Sequence, residues 1–248
     1  MEMLVVLAII ALLISILIPT LEKAQEQSMQ VHCAANLKNL TVAWTIYAGD
    51  NKGKLCSGNT ELSIQENCWV NEGPMIPGNE TGGTAKAIKE GALWEYIGQL
   101  ESYRCKSDTS GLLRSYCISR AMNGVTCTCK EDHVNPFRMM SEIVRVSEKM
   151  VFVDAASRQK WIEGSFAPFR ETEPNEPTWY VKPGRTITAR HTRGFNASFA
   201  DGHCEWFGYK DDRSVDLSYW RIAPELASGN NEDLMMIVDA VKSRRWGQ

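Results

Sequence analysis

Met3-Leu-Val-Val-Leu-Ala-Ile-Ile-Ala-Leu-Leu-Ile-Ser-Ile-Leu-Ile18 is the stretch on which the reading of this chain turns. Its sixteen residues carry no charge, and Ser15 is the only polar side chain among them. As a helix they span roughly 24 Å, just short of a ~30 Å hydrocarbon core. A helix in a globular core is rarely apolar on every face. A signal peptide wants a basic region before the apolar run and a small-residue cleavage site after it. Here Met1-Glu2 precedes the run and Pro19-Thr20 follows it. A membrane anchor fits best, the more so if the native chain begins a few residues earlier.

Two residues punctuate the segment. Glu2 opens it, and the helix dipole accounts for part of that, since it favours a negative charge near the N-terminus. The sharper reading pairs Glu2 with a cation of a neighbouring copy, because a charge buried among apolar helices needs such a partner. Pro19 removes one backbone donor and crowds the preceding turn, so a kink or a melted turn is expected over residues 12–19.

Beyond Pro19 the pattern changes. Leu21-Glu-Lys-Ala-Gln-Glu-Gln27 is amphipathic, and Cys33, Leu37, Leu40, Trp44 and Tyr47 then recur at spacings of 4, 3, 4 and 3, one face of a helix. The turn cluster Gly49-Asp-Asn-Lys-Gly53 ends it. An all-apolar half is thus joined to a half with a single stripe. The first suits lipid or copies of itself, and the second suits a sheet. The expected fold class is α+β, a long N-terminal helix packed on an antiparallel sheet. Residues 1–25 form the assembly or membrane helix, and residues 26–248 the globular head.

The remaining chain reads as short elements. Residues 49–83 are loop-rich, and Ala85 to Ile97 is expected as one helix. Tyr103-Arg-Cys105 and Arg114-Ser-Tyr-Cys-Ile118 read as short strands, and Met150-Val-Phe-Val-Asp154 as a stronger one. The proline-bearing residues 163–185 read as a surface loop. Phe195 to Ala200 and His203 to Phe207 flank Asp201-Gly202, a hairpin signal pointing to a type I′ turn. Phe195, Ala197 and Phe199 share one face of the first strand, and Cys204 and Trp206 give the second its own. A last helix begins at Asn230-Asn-Glu-Asp233, buries Leu234, Val238 and Val241, and carries Lys242, Arg244 and Arg245 in its last turn.

Composition sets bounds. The 248 residues carry a formal charge of -3, with 44% apolar and 23% charged residues, which disfavours disorder and a polytopic membrane protein. No basic run supports nucleic-acid binding. Eight cysteines are many for a cytosolic chain of this size, and an even count in an exported one favours disulfides. Cys127-Thr-Cys129 is too close for an easy mutual bridge. No nucleophile elbow, P-loop, zinc-protease or dinucleotide motif is present.

Several matches in joint order carry a family resemblance. They are Glu2-Met-Leu-Val-Val-Leu-Ala-Ile-Ile-Ala-Leu-Leu13, Cys33-Ala-Ala-Asn-Leu-Lys-Asn-Leu40, Tyr47-Ala-Gly-Asp-Asn-Lys-Gly53, Gly91-Ala-Leu-Trp-Glu-Tyr-Ile97 and Tyr103-Arg-Cys105. His191 then stands nine residues before Asp201-Gly202-His203. Together they resemble the type IV pilins and type II secretion pseudopilins, in particular the prepilin-like proteins with an H-X9-DG domain. The resemblance implies export, removal of a leader a few residues before the glutamate, and N-methylation of the new terminus. It further implies storage in the inner membrane and polymerisation by the pilus or secretion machinery into an extracellular or envelope filament of identical subunits. The family's glutamate, which neutralises the N-terminal amine of a neighbouring subunit, maps onto Glu2.

Candidate chemistry is sparse. His191 and Asp201 are read as ligands, as an acid–base pair or as a structural His–Asp contact, and the structural reading is preferred. Asp201 with His203 is a candidate metal pair for calcium or zinc, although a full ligand set is not visible. Asp211, Asp212 and Asp216 form a local acidic cluster, for which a solvated turn is preferred over calcium. The tryptophans are read as core or subunit-contact anchors rather than as a carbohydrate platform. The expectation is a non-enzymatic filament subunit without a required cofactor. A membrane-tethered minor pseudopilin or binding module is the alternative, and a tethered hydrolase ranks last.

Overall fold

A single helix, α1 (Glu2–Asp50), opens the computed structural model, which describes residues 2–58, 67–71, 84–123, 136–156, 164–166, 169–173, 176–179 and 186–241. Cys127, Cys129, His133, Trp161, Trp246, Lys242, Arg244 and Arg245 lie outside the described residues. The stripe read from the sequence is the buried face of α1: Cys33, Leu37, Leu40 and Trp44 are fully buried, and Tyr47 and Ala48 nearly so. The helix stops where Lys52 turns left-handed (φ 58°) and the Gly53 amide reaches back 2.7 Å to the Ala48 carbonyl, a Schellman-type end.

The sheet is mixed rather than wholly antiparallel. Strand β1 (Tyr116–Ser119) pairs antiparallel with β2 (Met150–Ala156) and parallel with the two-residue β3 (Ser165–Phe166). Residues 163–185 are therefore more than a surface loop. They supply β3 and a separate hairpin of β4 (Phe169–Glu173) and β5 (Glu176–Trp179). Beyond β2 the order continues through β7 (Gly194–Phe199) to β8 (Cys204–Gly208), with the short β6 (Thr186–Ile187) also on β2.

Strand β7 is buried along its whole length, so its alternation does not divide core from water. Its polar positions meet helix α1. Thr41 donates its hydroxyl to Ser198 at 2.6 Å, and the Asn196 amide reaches the Gln30 carbonyl at 3.3 Å. Phe195, Phe199 and Phe207 pack together on the opposite face. There, α4 (Asp212–Ser218), α5 (Pro224–Ser228) and α6 (Glu232–Val241) close the head. Asn231 caps α6 through the Leu234 amide at 2.9 Å, and Leu234, Val238 and Val241 are buried. Trp206 departs from the expected pattern: it is half-exposed, and its indole holds the His191 carbonyl at 2.9 Å.

Three further expectations change. The segment Ala85 to Ile97 is two helices, α2 (Ala85–Lys89) and α3 (Trp94–Ile97). They separate at Gly91, where the backbones approach so closely that a Cβ would lie 2.3 Å from the Trp69 carbonyl oxygen. Tyr103 ends a 3-10 turn, Leu100–Tyr103, instead of starting a strand. At the hairpin only Gly202 takes positive φ (91°). The Gly202 amide bonds the Phe199 carbonyl and the Phe199 amide bonds that of His203, so Ala200, Asp201 and Gly202 form a three-residue loop instead of a two-residue type I′ turn.

Candidate functional site

The N-terminal half of α1 leaves the head bare. Every residue from Met3 to Gln25 is exposed, and Glu26 is the first that the head partly covers. Fourteen large apolar side chains between Met3 and Leu21 are 46–84% exposed, so no side of the helix is covered. Burying such side chains is worth ~1.5–3 kcal/mol each, or roughly 20–40 kcal/mol together. That exceeds the ~5–15 kcal/mol stability of a typical domain, so this surface needs an apolar surrounding. The backbone of Glu2 is the first turn of α1.

Pro19 sits inside the continuous helix, and the melted turn expected over residues 12–19 is not present in the isolated chain. Pro19 lacks the amide that would bond the Ser15 carbonyl, which is a single missing bond in an otherwise continuous ladder. Ser15 donates to Leu12 O at 2.7 Å and Thr20 to Leu17 O at 2.8 Å.

Where α1 enters the head, four segments bring together Cys33, Cys105, Asp154 and His191, all fully buried. Cys33 is on the α1 stripe, Cys105 follows the 3-10 turn, Asp154 lies within β2, and His191 is in the turn before β7. That turn is tight: Thr192 and Arg193 take positive φ, and the His191 amide bonds the Gly194 carbonyl. The position after it admits only glycine, since a Cβ on Gly194 would lie 2.2 Å from the Phe207 carbonyl oxygen. Cys33 Sγ donates to Asp154 Oδ1 at 2.8 Å, and Cys105 Sγ lies 3.3 Å from His191 Nε2, which is 3.7 Å from Asp154 Oδ2. The Asn196 backbone N–H donates to Asp154 Oδ2 (2.9 Å) and the Tyr116 hydroxyl to Cys33 Sγ (3.2 Å).

The charges in this cluster are coupled. Burial pushes the Cys33 thiol well up, and burial together with Cys105 raises Asp154. Cys105 is held well below the usual thiol range by hydrogen bonds from Cys33 and then, against burial, from His191. Burial opposes a charge on His191, but its contacts with Cys105 and Asp154 win and raise it. Among the described residues this is the one group of such donors that converges, with all four ligand atoms within 4.8 Å of one another. A polar cleft of about 510 Å³ opens beside Asp108 and Arg190, but none of the four residues lines it.

The structure separates the halves of the H-X9-DG pattern. His191 lies at one end of β7 and Asp201-Gly202 at the other, about 20 Å of strand apart. Asp201 and His203 do pair, with Oδ1 to Nδ1 at 2.6 Å, on the exposed hairpin. The His203 ring stacks on Phe199 at 4.3 Å. Against slight burial, the hydrogen bonds from the His203 backbone and ring hold the Asp201 carboxyl below its ordinary value. No third metal donor joins this pair among the described residues. The acidic cluster is neutralised by arginines: Asp211 with Arg213, Asp212 with Arg193 and Asp216 with Arg221.

The expected disulfides are not formed among the described cysteines, and Cys33, Cys56, Cys105 and Cys204 carry thiols. At Cys33 and Cys105 the sulfurs face a carboxylate and an imidazole. As a candidate for chemistry, sequence patterns single out His191 alone of the cluster. In them Cys33 is a stripe residue, Cys105 part of a strand, and Asp154 a strand end. Their separations along the chain form no local motif, and the one available signal is a carboxylate closing the β-branched run Met150 to Asp154. Trp44 and Trp69 are fully buried core residues.

No protein-family model matches this chain, and no curated protein or solved structure shows significant similarity to it.

Proposed function

We propose that this protein is the structural subunit of a helical, type IV pilus-like or pseudopilus filament. In this reading it waits in the inner membrane and polymerises through residues 1–25. The observation that carries the reading is the all-round exposure of the apolar half of α1 beside a head that is complete without it. Lipid and a bundle of identical helices offer that surface nearly the same apolar solvent. Transfer between them costs little hydrophobic energy, which lets a membrane store subunits for assembly. In such a bundle Glu2 pairs with the N-terminal amine of a neighbour, because an unpaired charge there is expensive. Pro19 weakens the helix where the bundle leaves the membrane, and the polymer has non-helical backbone just before it.

Electron microscopy of the full-length protein, purified from membranes and allowed to assemble, tests the reading. Filaments with residues 3–18 in a central helical core are expected. Glu2→Ala is expected to abolish them without altering the thermal unfolding of the head. Single subunits retained in the bilayer, with no polymer under any assembly condition, would overturn the reading in favour of a tethered minor pseudopilin or binding module.

A further inference from the structure

We infer that Cys33, Cys105, Asp154 and His191 form a structural zinc site that staples α1 to the sheet at the point where the helix enters the head. The donor set is two sulfurs, one imidazole nitrogen and one carboxylate oxygen. Thiolate and imidazole are zinc ligands, and four such donors suit its tetrahedral geometry. Calcium is excluded by the same set, since it takes six to eight oxygens. All four residues are fully buried, so the site is closed, as structural zinc sites are and catalytic ones are not.

The hydrogen-bond inventory points the same way. Among the described residues, His191 Nδ1 and Glu26 Oε1 are buried and have no hydrogen-bond partner, although they lie only 3.4 Å apart. Zinc on Nε2 fixes the His191 proton on Nδ1, facing that carboxylate, which is the usual second layer around a zinc-bound histidine. Asp154 offers Oδ1 to the ion while Oδ2 keeps the Asn196 backbone N–H. The Tyr116 hydroxyl already donates to Cys33 Sγ and supports its thiolate.

A Cys33–Cys105 disulfide satisfies the surroundings less well. It removes the thiol donor from Asp154 Oδ1 and the sulfur partner from His191 Nε2, leaving only the 3.7 Å contact between His191 Nε2 and Asp154 Oδ2 in a closed site. Zinc uses all four donors at once, with release of the two thiol protons. The staple has a mechanical meaning, since Cys33 is the first fully buried residue of α1. Load passing from the exposed helix to the head enters over the turns from Glu26 to Cys33, where the site lies.

Elemental analysis of the full-length protein, purified in detergent without chelators, tests the assignment. About one zinc per chain is expected, together with a roughly 10 °C fall in melting temperature on stripping that added zinc(II) reverses. Replacement by cobalt(II) is expected to give a thiolate-to-metal charge-transfer band and the intense visible bands of a tetrahedral ion. Cys105→Ser weakens the charge-transfer band. Metal-free protein in which Cys33 and Cys105 are both alkylated as thiols, or a Cys33–Cys105 disulfide found by non-reducing peptide mass spectrometry, overturns the assignment. So does zinc retained in full by both Cys105→Ser and His191→Gln. The wild-type metal content and cobalt spectrum decide the matter even if those variants fail to fold.

Discussion

Residues 3–18 and residues 33–48 belong to one unbroken helix, yet they solve the burial problem in opposite ways. In the second segment the apolar side chains fall on one stripe, and the chain's own head covers it, from Cys33 to Ala48. In the first they fall on every side, and one sheet has only one face to offer. The angular distribution of apolar residues therefore decides who covers a helix. A stripe is satisfied within the molecule, whereas an all-round apolar surface requires lipid or other helices around it. Apolar content without direction does not draw this distinction.

The sharpest way to break the comparison is to place a charge in each half. Leu40→Lys, at a fully buried position, is expected to prevent the head from folding, read as loss of the cooperative melt. Ile10→Lys should leave that melt intact while weakening membrane retention and assembly, since a lysine in mid-membrane costs about 3 kcal/mol. Equal damage to the head from both would mean that the two halves are not independent.

Truncations give the next largest effect. Trp44→Ala is expected to lower head stability by about 3–5 kcal/mol in denaturant titration. Leu13→Ala should change it by less than ~0.5 kcal/mol and weaken only filament formation. A smaller paired test uses two threonines that both bond within α1. Thr41→Val also loses the 2.6 Å contact with Ser198 and should cost about 1 kcal/mol, whereas Thr20→Val, in the exposed half, should leave the head's melt unchanged.

The hairpin lies outside both halves and serves as the control with the smallest effect. Asp201 has a lowered folded-state pKa, so the stability it contributes is present at neutral pH. That stability is lost as pH falls below the free carboxylate value of about 3.9 and through the folded one. The melting-temperature advantage of wild type over Asp201→Asn should shrink on acidification. An advantage that stays constant to pH 2 would show that the carboxylate charge is not what holds the loop.

Periodicity makes much of this architecture legible. The stripe on α1, the strand at Met150 to Asp154, the hairpin position and the Asn231-capped last helix all follow from patterns within a few residues. Contacts between distant segments account for the misses. Gly91 breaks a helix because Trp69 presses against it, and β3 forms because β1 offers an edge. Asn196 and Ser198 are buried because α1 supplies their partners. The H-X9-DG spacing is visible in the chain, but its meaning is not. It spans the length of β7 and sends His191 inward while Asp201 stays at the surface.

By itself, then, the order of residues determined where apolar surface exceeds what one sheet can hide, because charge-free length and angular distribution are local properties. Only the folded chain decided that Cys33, Cys105, Asp154 and His191 meet. Convergence of four side chains from four segments is a consequence of how a helix, a strand and two turns pack, and no spacing along the chain encodes it.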